Sequence, residues 1–382
     1  MLMLVVVVAR GLQMSAPLMN KVSPLALPLS ELTEVVGGSG RAKSIWDSLK
    51  KGVDPLAEDG LLTKKTREAL ESLGLSDRLV PAVVESATVA EDGTTKLLVR
   101  FNDGLAVETV LIPHATLPRT TLCVSTQVGC DRGCAFCATA RMGLVRNLTA
   151  SEIAAQYFCA LPYGRDASKP LSNVVLFGMG DAGVNCVEAA AACAILTDDQ
   201  RFNLARAKVT ASTVGPNPEV FKVLAAAPCM LAWSVHSPND ALRKQLVPTH
   251  AHFSAVDLRQ GLVEALSSRP TLRTRTLMVT ATLIEGINDS DQDAKDLALF
   301  IKPLVDVAIK LNVDLIPVNP VDHATHFKRP SFERVSQFAD VVRQHEPRVH
   351  VAVRVTRGDD QNAACGQLLI RQKQQRPALL LQ

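Results

Sequence analysis

The chain is predicted to be an α/β protein, an open or partial (β/α)6 barrel preceded by a small helical domain. Two observations carry this expectation. Beyond Cys123, short apolar runs alternate with segments of helical period. Nearly continuous apolar strands joined by helices imply a parallel sheet buried on both faces. A third observation concerns function: polar residues gather just after the apolar runs, where parallel barrels carry their active sites. At 382 residues the chain has room for one barrel-sized domain and a smaller appendage.

Taken in order, residues 1–39 read as a disordered leader or a transit segment, because Pro17, Pro24, Pro28 and Gly37-Gly38-Ser39-Gly40 punctuate them. Arg10 and Lys21 are their basic residues, and no acid precedes Glu31. Residues 40–85 form a helical accessory domain, with Ile45 and Leu49, then Leu70 and Leu73, at helical spacing. Within 86–115, Lys96 to Phe101 and Ala106 to Ile112 flank Asn102-Asp103-Gly104, a hairpin signal. Residues 116–370 make the core. Its candidate strands are Asn173 to Phe177, Lys208 to Thr213, Met230 to Val235, Leu277 to Leu283, Asn312 to Pro317 and Val349 to Val355. The helix after the cysteine loop starts at Thr149-Ala150-Ser151-Glu152, a capping box. A basic tail, 371–382, closes the chain with Arg371, Lys373 and Arg376.

Composition bounds the function. Hydrophobic content of 47% and charged content of 21% fit a globular protein with a packed core. A formal charge of +3 does not announce a nucleic-acid binder, yet seven basic residues against four acidic ones lie between Arg41 and Arg67. That cluster is either a solvated face or an RNA contact. Nine cysteines without a regular framework do not read as a secreted disulfide scaffold. A reducing compartment is expected, the cytoplasm or an organelle stroma or matrix. No apolar run reaches membrane-spanning length, so no membrane association is expected.

The strongest motif is Gly129-Cys130-Asp131-Arg132-Gly133-Cys134-Ala135-Phe136-Cys137. Three thiolates at this spacing can hold a cubane [4Fe-4S] cluster and leave the fourth iron open, unlike electron-transfer clusters with four cysteines. An open iron invites a small molecule, as catalytic zinc sites do. In radical enzymes that molecule is S-adenosylmethionine. A zinc knuckle or a chance grouping is the alternative. The polar groups behind the strands are Gly178-Met179-Gly180-Asp181, Ser212-Thr213, Ser234 with His236, Asn319, and Arg357-Gly358-Asp359-Asp360. Any one of them is more readily a turn or cap than a site.

From Arg41 to Leu368 the sequence resembles the radical-SAM methyltransferases that act on C2 of an adenine in ribosomal and transfer RNA, together with their C8-methylating relatives. The resemblance rests on Gly40-Arg41-Ala42-Lys43, on the run from Cys123 to Cys130, and on Arg146-Asn147-Leu148-Thr149. It continues in Ser234-Val235-His236-Ser237-Pro238-Asn239-Asp240, Gly286-Ile287-Asn288-Asp289, Leu315-Ile316-Pro317-Val318-Asn319-Pro320 and the run from Arg357 to Leu368. It implies a radical-SAM partial (β/α)6 TIM-like barrel with an N-terminal accessory domain. It also implies two S-adenosylmethionine per turnover, an RNA substrate, and a reducing electron donor such as a flavodoxin or ferredoxin.

Adenine C2 lies between two ring nitrogens and is too electron-poor for ordinary methyl transfer, so a radical route is needed. By resemblance, Cys365 takes the methyl group as a nucleophile and, after radical addition, links RNA to the protein. Cys123 then resolves the adduct by forming a disulfide with Cys365. Glu108 matches the proton acceptor. Cofactor contacts carry over at Gly180, Asp181, Ser212, Ser234, Val235, His236 and Asn319. Cys159, Cys186, Cys193 and Cys229 match nothing and read as small buried or neutral residues.

Two departures stand out. The family's Gly-Glu-Pro is Gly180-Asp181-Ala182 here, a shorter carboxylate followed by a backbone expected to be less constrained. A basic pair usual after Leu-Val-Pro is replaced by Thr249-His250-Ala251-His252. Two rival readings remain: a catalytically impaired RNA-binding paralogue, favoured by Asp181-Ala182, and another radical-SAM oxidoreductase or maturase, which would not need Cys123 and Cys365.

Overall fold

The computed structural model describes residues 23–370 other than 59, 73, 76 and 251. Leu73, Ala251, the basic tail and the first part of the expected leader lie outside the described residues. The chain divides into two compact units between Pro81 and Ala82.

The first unit holds α1 (Leu29–Val36), α2 (Ser39–Leu49) and α3 (Lys64–Glu71), after a short 3-10 turn at Pro24–Ala26. For the described part of the expected leader the reading is corrected: Leu29–Val36 is a helix, and the next begins at Ser39. Pro28 and Gly37 read as breakers but punctuate a helix, Pro28 standing at its N-cap and Gly37 at its end with φ +66°. Arg41, one turn into α2, donates to the carbonyl oxygens of Val36 (3.0 Å) and Gly37 (2.9 Å), groups that the end of α1 leaves without helical partners. Leu32, Val36, Ile45, Trp46, Leu49 and Leu70 are buried. Asp54 closes the unit by accepting from the amides of Leu79 (2.7 Å) and Val80 (3.0 Å).

The second unit is built on a ten-stranded sheet in the order β1 (Ala82–Val89), β2 (Thr95–Phe101), β3 (Ala106–Pro113), β4 (Thr120–Cys123), β7 (Leu171–Leu176), β8 (Val209–Thr213), β9 (Met230–Ser234), β10 (Thr276–Leu283), β11 (Lys310–Pro317) and β12 (His350–Val353). A separate hairpin pairs β5 (Gln127–Cys130) with β6 (Gly143–Asn147). Strands β1 to β4 pair antiparallel, and β4 through β12 pair parallel in chain order. The six expected parallel strands are present, and β4 is a seventh. With β1 and β12 at its two ends, the sheet is open.

The expected hairpin is β2–β3, but it is no separate connector. Strand β1 begins at Ala82, inside the span assigned to the helical domain, and β3 joins the hairpin to β4. Two physical reasons hid this. Most of β1 is exposed, so its sequence carries no apolar alternation. Strand β4 is only four residues, two of them threonine.

Helices follow the parallel strands: α4 (Ala150–Ala160), α5 (Cys186–Thr197), α6 (Glu219–Ala226), α7 (Asp240–Leu246), α8 (Ala255–Ser267), α9 (Asp291–Phe300), α10 (Lys302–Val307) and α11 (Phe332–His345). The capping box of α4 forms in both directions, Glu152 N–H to Thr149 Oγ1 and Thr149 N–H to Glu152 Oε2. Parallel pairing places the carboxyl ends of β4 and of β7 to β12 at one rim. Among the described residues no helix is long and apolar enough to cross a membrane.

Candidate active site

The residues expected at the site come together at that rim. Strand β4 ends at Cys123, and the chain turns through Val124-Ser125-Thr126 into β5, whose last residue is Cys130. Ser125 locks this turn: its hydroxyl donates to the Glu108 carbonyl (2.7 Å) and accepts from the Met179 amide (2.9 Å). Gln156 of α4, fully buried, accepts from Ser125 N–H (2.8 Å) and Thr109 Oγ1 (2.7 Å) and donates to the Ser125 carbonyl (2.8 Å). One helix side chain thus ties the middle of β3 to the turn after β4.

The cysteine loop packs on Phe136, Val214, Leu246, Val247, Ile284 and Val318, with Cys134 and Cys137 against that cluster. Its ties are the Ala135 amide to the Leu246 carbonyl (2.9 Å) and Thr249 Oγ1 to the Arg132 carbonyl (2.9 Å). The residue standing where a basic pair was expected therefore anchors this loop. Phe136 meets the His236 ring edge-on at 4.8 Å.

Burial pushes all three thiols up, Cys130 to about 12, and charge on Cys130 and Cys137 raises Cys134 further. Three soft donors crowded into one desolvated corner suit a polynuclear iron-sulfur group, which would take them as thiolates and relieve their mutual repulsion. Among the described residues no three His, Cys, Asp or Glu side chains gather around a single metal ion.

Asp181 follows β7 in a loop that Gly180 makes possible. At φ +95°, a Cβ on Gly180 would stand 2.8 Å from the main-chain nitrogen of Gln127, so glycine alone allows this approach of β7 to β5. The Asp181 carboxylate is buried and turned onto its own protein. Its Oδ1 accepts from Thr213 Oγ1 (2.7 Å) and the amides of Gly183 (2.8 Å) and Val184 (3.1 Å), and Oδ2 accepts from Val214 N–H (2.7 Å). The expectation of a loosely held backbone is corrected as well: the Ala182 N–H, which proline would lack, reaches the Ser212 carbonyl at 3.3 Å.

Ser212 lies in fully buried β8, and Ser234 ends β9 with its Oγ accepting from Thr280 Oγ1 (3.0 Å). Val235 is fully buried. His236 has φ +60°, a conformation costly for a non-glycine residue, and its Nδ1 accepts from Thr282 N–H (3.2 Å). Burial drives its pKa down to about 3, so the ring is neutral. Asn288 Nδ2 holds the His236 carbonyl (3.0 Å) and the Thr282 carbonyl (2.8 Å).

Sequence reasoning missed Arg243. It is fully buried in α7 and donates to the carbonyl oxygens of Ser234 (3.1 Å), Val235 and Val214, tying β8 to β9 beneath the site. Little in the sequence signals it: Arg243 sits next to Lys244 on a seven-residue helix in which it and Leu246 are the buried residues.

The segment after β12 covers the rim and brings Cys365 in. It is laced to the cysteine loop by the Ala138 amide to the Gly366 carbonyl (2.6 Å) and Thr139 Oγ1 to the Leu368 carbonyl (2.7 Å). Asn319, beyond β11, donates to the Cys365 carbonyl (2.9 Å) and accepts from Arg329 (2.8 Å) and Thr356 Oγ1 (2.9 Å). Gln367 Nε2 donates to Asp359 Oδ1 (2.6 Å). Cys365 is exposed as a residue, so the desolvation that lifts its thiol to about 11 comes from protein packed around the sulfur rather than from full enclosure. Charge on Cys137 raises the Cys365 thiol further, and charge on Cys365 raises that of Cys123, itself pushed up to about 12 mainly by burial. Cys123, Cys365 and the cysteine loop therefore share one corner.

No protein-family model matches the chain. It is 35% identical over 359 residues to the dual-specificity RNA methyltransferase RlmN of Marinobacter nauticus, covering 92% of this chain and 93% of the relative. To the protein of that name from Pseudomonas putida it is 38% identical over 360 residues, 92% of this chain and 90% of the relative. Among solved structures it matches a radical SAM methyltransferase from Sphaerobacter thermophilus with a TM-score of 0.79 and 36% identity, over 90% of this chain and 98% of that one.

Proposed function

The chain belongs to the RlmN family of radical-SAM RNA methyltransferases, and from that premise we propose that it methylates C2 of an adenine in ribosomal or transfer RNA through a methylated cysteine. The observation that carries the reading is the seating of the Cys365 segment on the cysteine loop, through Ala138 to Gly366 and Thr139 to Leu368, and on Glu108 through Leu369, with Cys123 on that same strand face. An oxidoreductase or maturase of the same superfamily has no use for that pair of cysteines.

Cys130, Cys134 and Cys137 would hold the cluster. When bound, the cluster and S-adenosylmethionine supply the radical chemistry that an electron-poor carbon requires, and a second S-adenosylmethionine supplies the methyl group. Cys365 accepts that methyl on sulfur; its open position gives a bulky donor access. Glu108 takes the proton that C2 must lose. Cys123 attacks the Cys365 sulfur, forming the disulfide as the sulfur–carbon bond to RNA breaks; the released carbon keeps that electron pair and takes a proton to become the methyl group. Gly180, Ser212, Ser234, Val235, His236 and Asn319 shape the nucleoside cleft; neutral His236 offers hydrogen bonds without charge. Asp181 serves the cofactor through the loop it rigidifies, since its oxygens are engaged by Thr213, Gly183, Val184 and Val214.

The reaction demands an adenine freed from its stack, hence single-stranded or flipped RNA. The basic cluster between Arg41 and Arg67 is its phosphate contact in this reading, and a low-potential flavodoxin or ferredoxin its electron source, in the cytoplasm or an organelle stroma or matrix. Nucleoside mass spectrometry of RNA from cells lacking the protein tests the proposal. Loss of 2-methyladenosine, restored by wild type and not by Cys365→Ala, is expected; unchanged 2-methyladenosine overturns it.

A further inference from the structure

The antiparallel strands ahead of the barrel bring a lysine to Glu108. In the β2–β3 register Leu98 lies opposite Glu108 and Lys96 opposite Val110, so Lys96 and Glu108 are diagonal neighbours on one face. Cys123 lies opposite Val110 on β4 and falls on the same face. Lys96 Nζ stands 3.0 Å from Glu108 Oε1, with the two side chains only 18% and 9% exposed. The same ammonium donates to the Asn362 carbonyl (3.3 Å), and Glu108 Oε2 accepts from the Leu369 amide (2.9 Å). Asn362 and Leu369 flank Cys365 in the sequence. One ion pair thus grips the carrier segment on both sides of its cysteine.

We propose that Lys96 is a positioning residue for methyl transfer: it keeps buried Glu108 ionised as the proton acceptor and, through Glu108 and Asn362, seats the Cys365 segment over it. The inference rests on the reading of Glu108 as the proton acceptor at C2. In that step the C2–H bond breaks, its electron pair stays with the ring, and the proton passes to a Glu108 oxygen. A carboxyl already protonated could not take it.

Burial pushes the Glu108 carboxyl up, and Lys96 is the principal force opposing it, followed by the Leu369 amide. Arg100, the other diagonal neighbour of Glu108 in this register, is engaged by Glu85 and the Gly104 carbonyl; Met179 Sδ accepts from the Glu108 main-chain N–H (3.4 Å), and the Cys123 thiol on the same face stays protonated. Lys96 is therefore the charge that sets this carboxyl's state. Without it, the desolvation of a buried carboxylate goes unanswered, and an opposite charge at this distance is worth roughly one to three pH units.

The test is the pH dependence of single-turnover RNA methylation by reconstituted enzyme already methylated on Cys365, normalised to the methylated fraction from intact-protein mass. Lys96→Met should move the acid limb upward by roughly one to three pH units, and Lys96→Arg should return it close to wild type. Should Lys96→Met fail to fold, Lys96→Gln, uncharged but able to hydrogen-bond, carries the same expectation. A limb unmoved in the uncharged variant, or a rate lowered equally at every pH, overturns the proposal. Glu108→Gln separates the two readings: a wild-type limb persisting in that variant removes Glu108 as the base, whereas its loss alongside an unmoved Lys96 variant rejects Lys96 alone.

Discussion

Asp181 is where the departure from the family pattern can be measured. Its carboxylate accepts four hydrogen bonds, from Thr213, Gly183, Val184 and Val214, inside a buried loop. In Asp181→Asn the amide oxygen can replace Oδ1 for three donors, but the amide nitrogen then faces the Val214 N–H. One charged bond is lost and two donors are opposed, a cost of about 2 kcal/mol. Asp181→Ala leaves all four donors without an acceptor; the bonds share two oxygens and are not additive, so about 3 to 5 kcal/mol is expected. Asp181→Glu, the family's own residue, must fit an extra methylene where Ala182 and Thr213 are also buried, at about 1 to 3 kcal/mol. Because the loop can open without global unfolding, the assay is hydrogen exchange by mass spectrometry of the peptides spanning 181–185 and 213–215 in reconstituted protein. A loss of 2 kcal/mol corresponds to roughly thirtyfold faster exchange. Wild-type exchange in Asp181→Ala would refute the staple, and weakened S-adenosylmethionine binding with exchange unchanged would return the carboxylate to a direct cofactor contact.

Three further outcomes follow from the same corner of the molecule. Changing Cys130, Cys134 or Cys137 to Ala should abolish iron loading and reductive cleavage of S-adenosylmethionine, read by iron assay and product chromatography; cleavage surviving in the triple variant would reject the donor set. Cys123→Ala should accumulate a covalent RNA adduct and Cys365→Ala none, seen on a denaturing gel with labelled RNA; full turnover by Cys123→Ala would reject its resolving role. Gly180→Ala should lower the thermal midpoint, since a left-handed backbone costs a non-glycine residue about 1 to 2 kcal/mol and the new Cβ meets Gln127 as well; an unchanged midpoint would show that the β5–β7 approach yields freely.

The parallel strands and the capping box of α4 were legible because burial on two faces and a local Thr-x-x-Glu pattern write themselves into adjacent residues. What escaped was structure whose cause lies far along the chain. Strand β1 is exposed, and strand β4 is held by β3 and β7 rather than by its own composition. Pro28 and Gly37 were read for what they interrupt rather than for the helix they bracket. At the site, residue types were legible and engagements were not: nothing near Asp181 in sequence announces Thr213 and Val214, nothing near Glu108 announces Leu369, and Arg243 looks like any surface arginine until its three carbonyl partners are seen. Cys123 and Cys365 were readable only through the family pattern, because 242 residues separate them.

The segment carrying Cys365 is fastened to the start of its own unit: Arg357 to the Pro113 carbonyl, the Glu91 amide to Asp360, and Lys96 to Asn362, across 244, 269 and 266 residues. This has a consequence for biosynthesis. A ribosome adding about 5 to 20 residues per second finishes the cysteine loop roughly 10 to 50 seconds before Cys365 leaves the peptidyl-transferase centre. During that interval the nascent chain holds the three thiols of the cysteine loop, while the sulfur of Cys365 does not yet exist. A chain cut short before residue 357 would lack both Cys365 and the Gly366 and Leu368 carbonyls that tie down the cysteine loop, so the two halves of the site are completed together, by some of the last residues made.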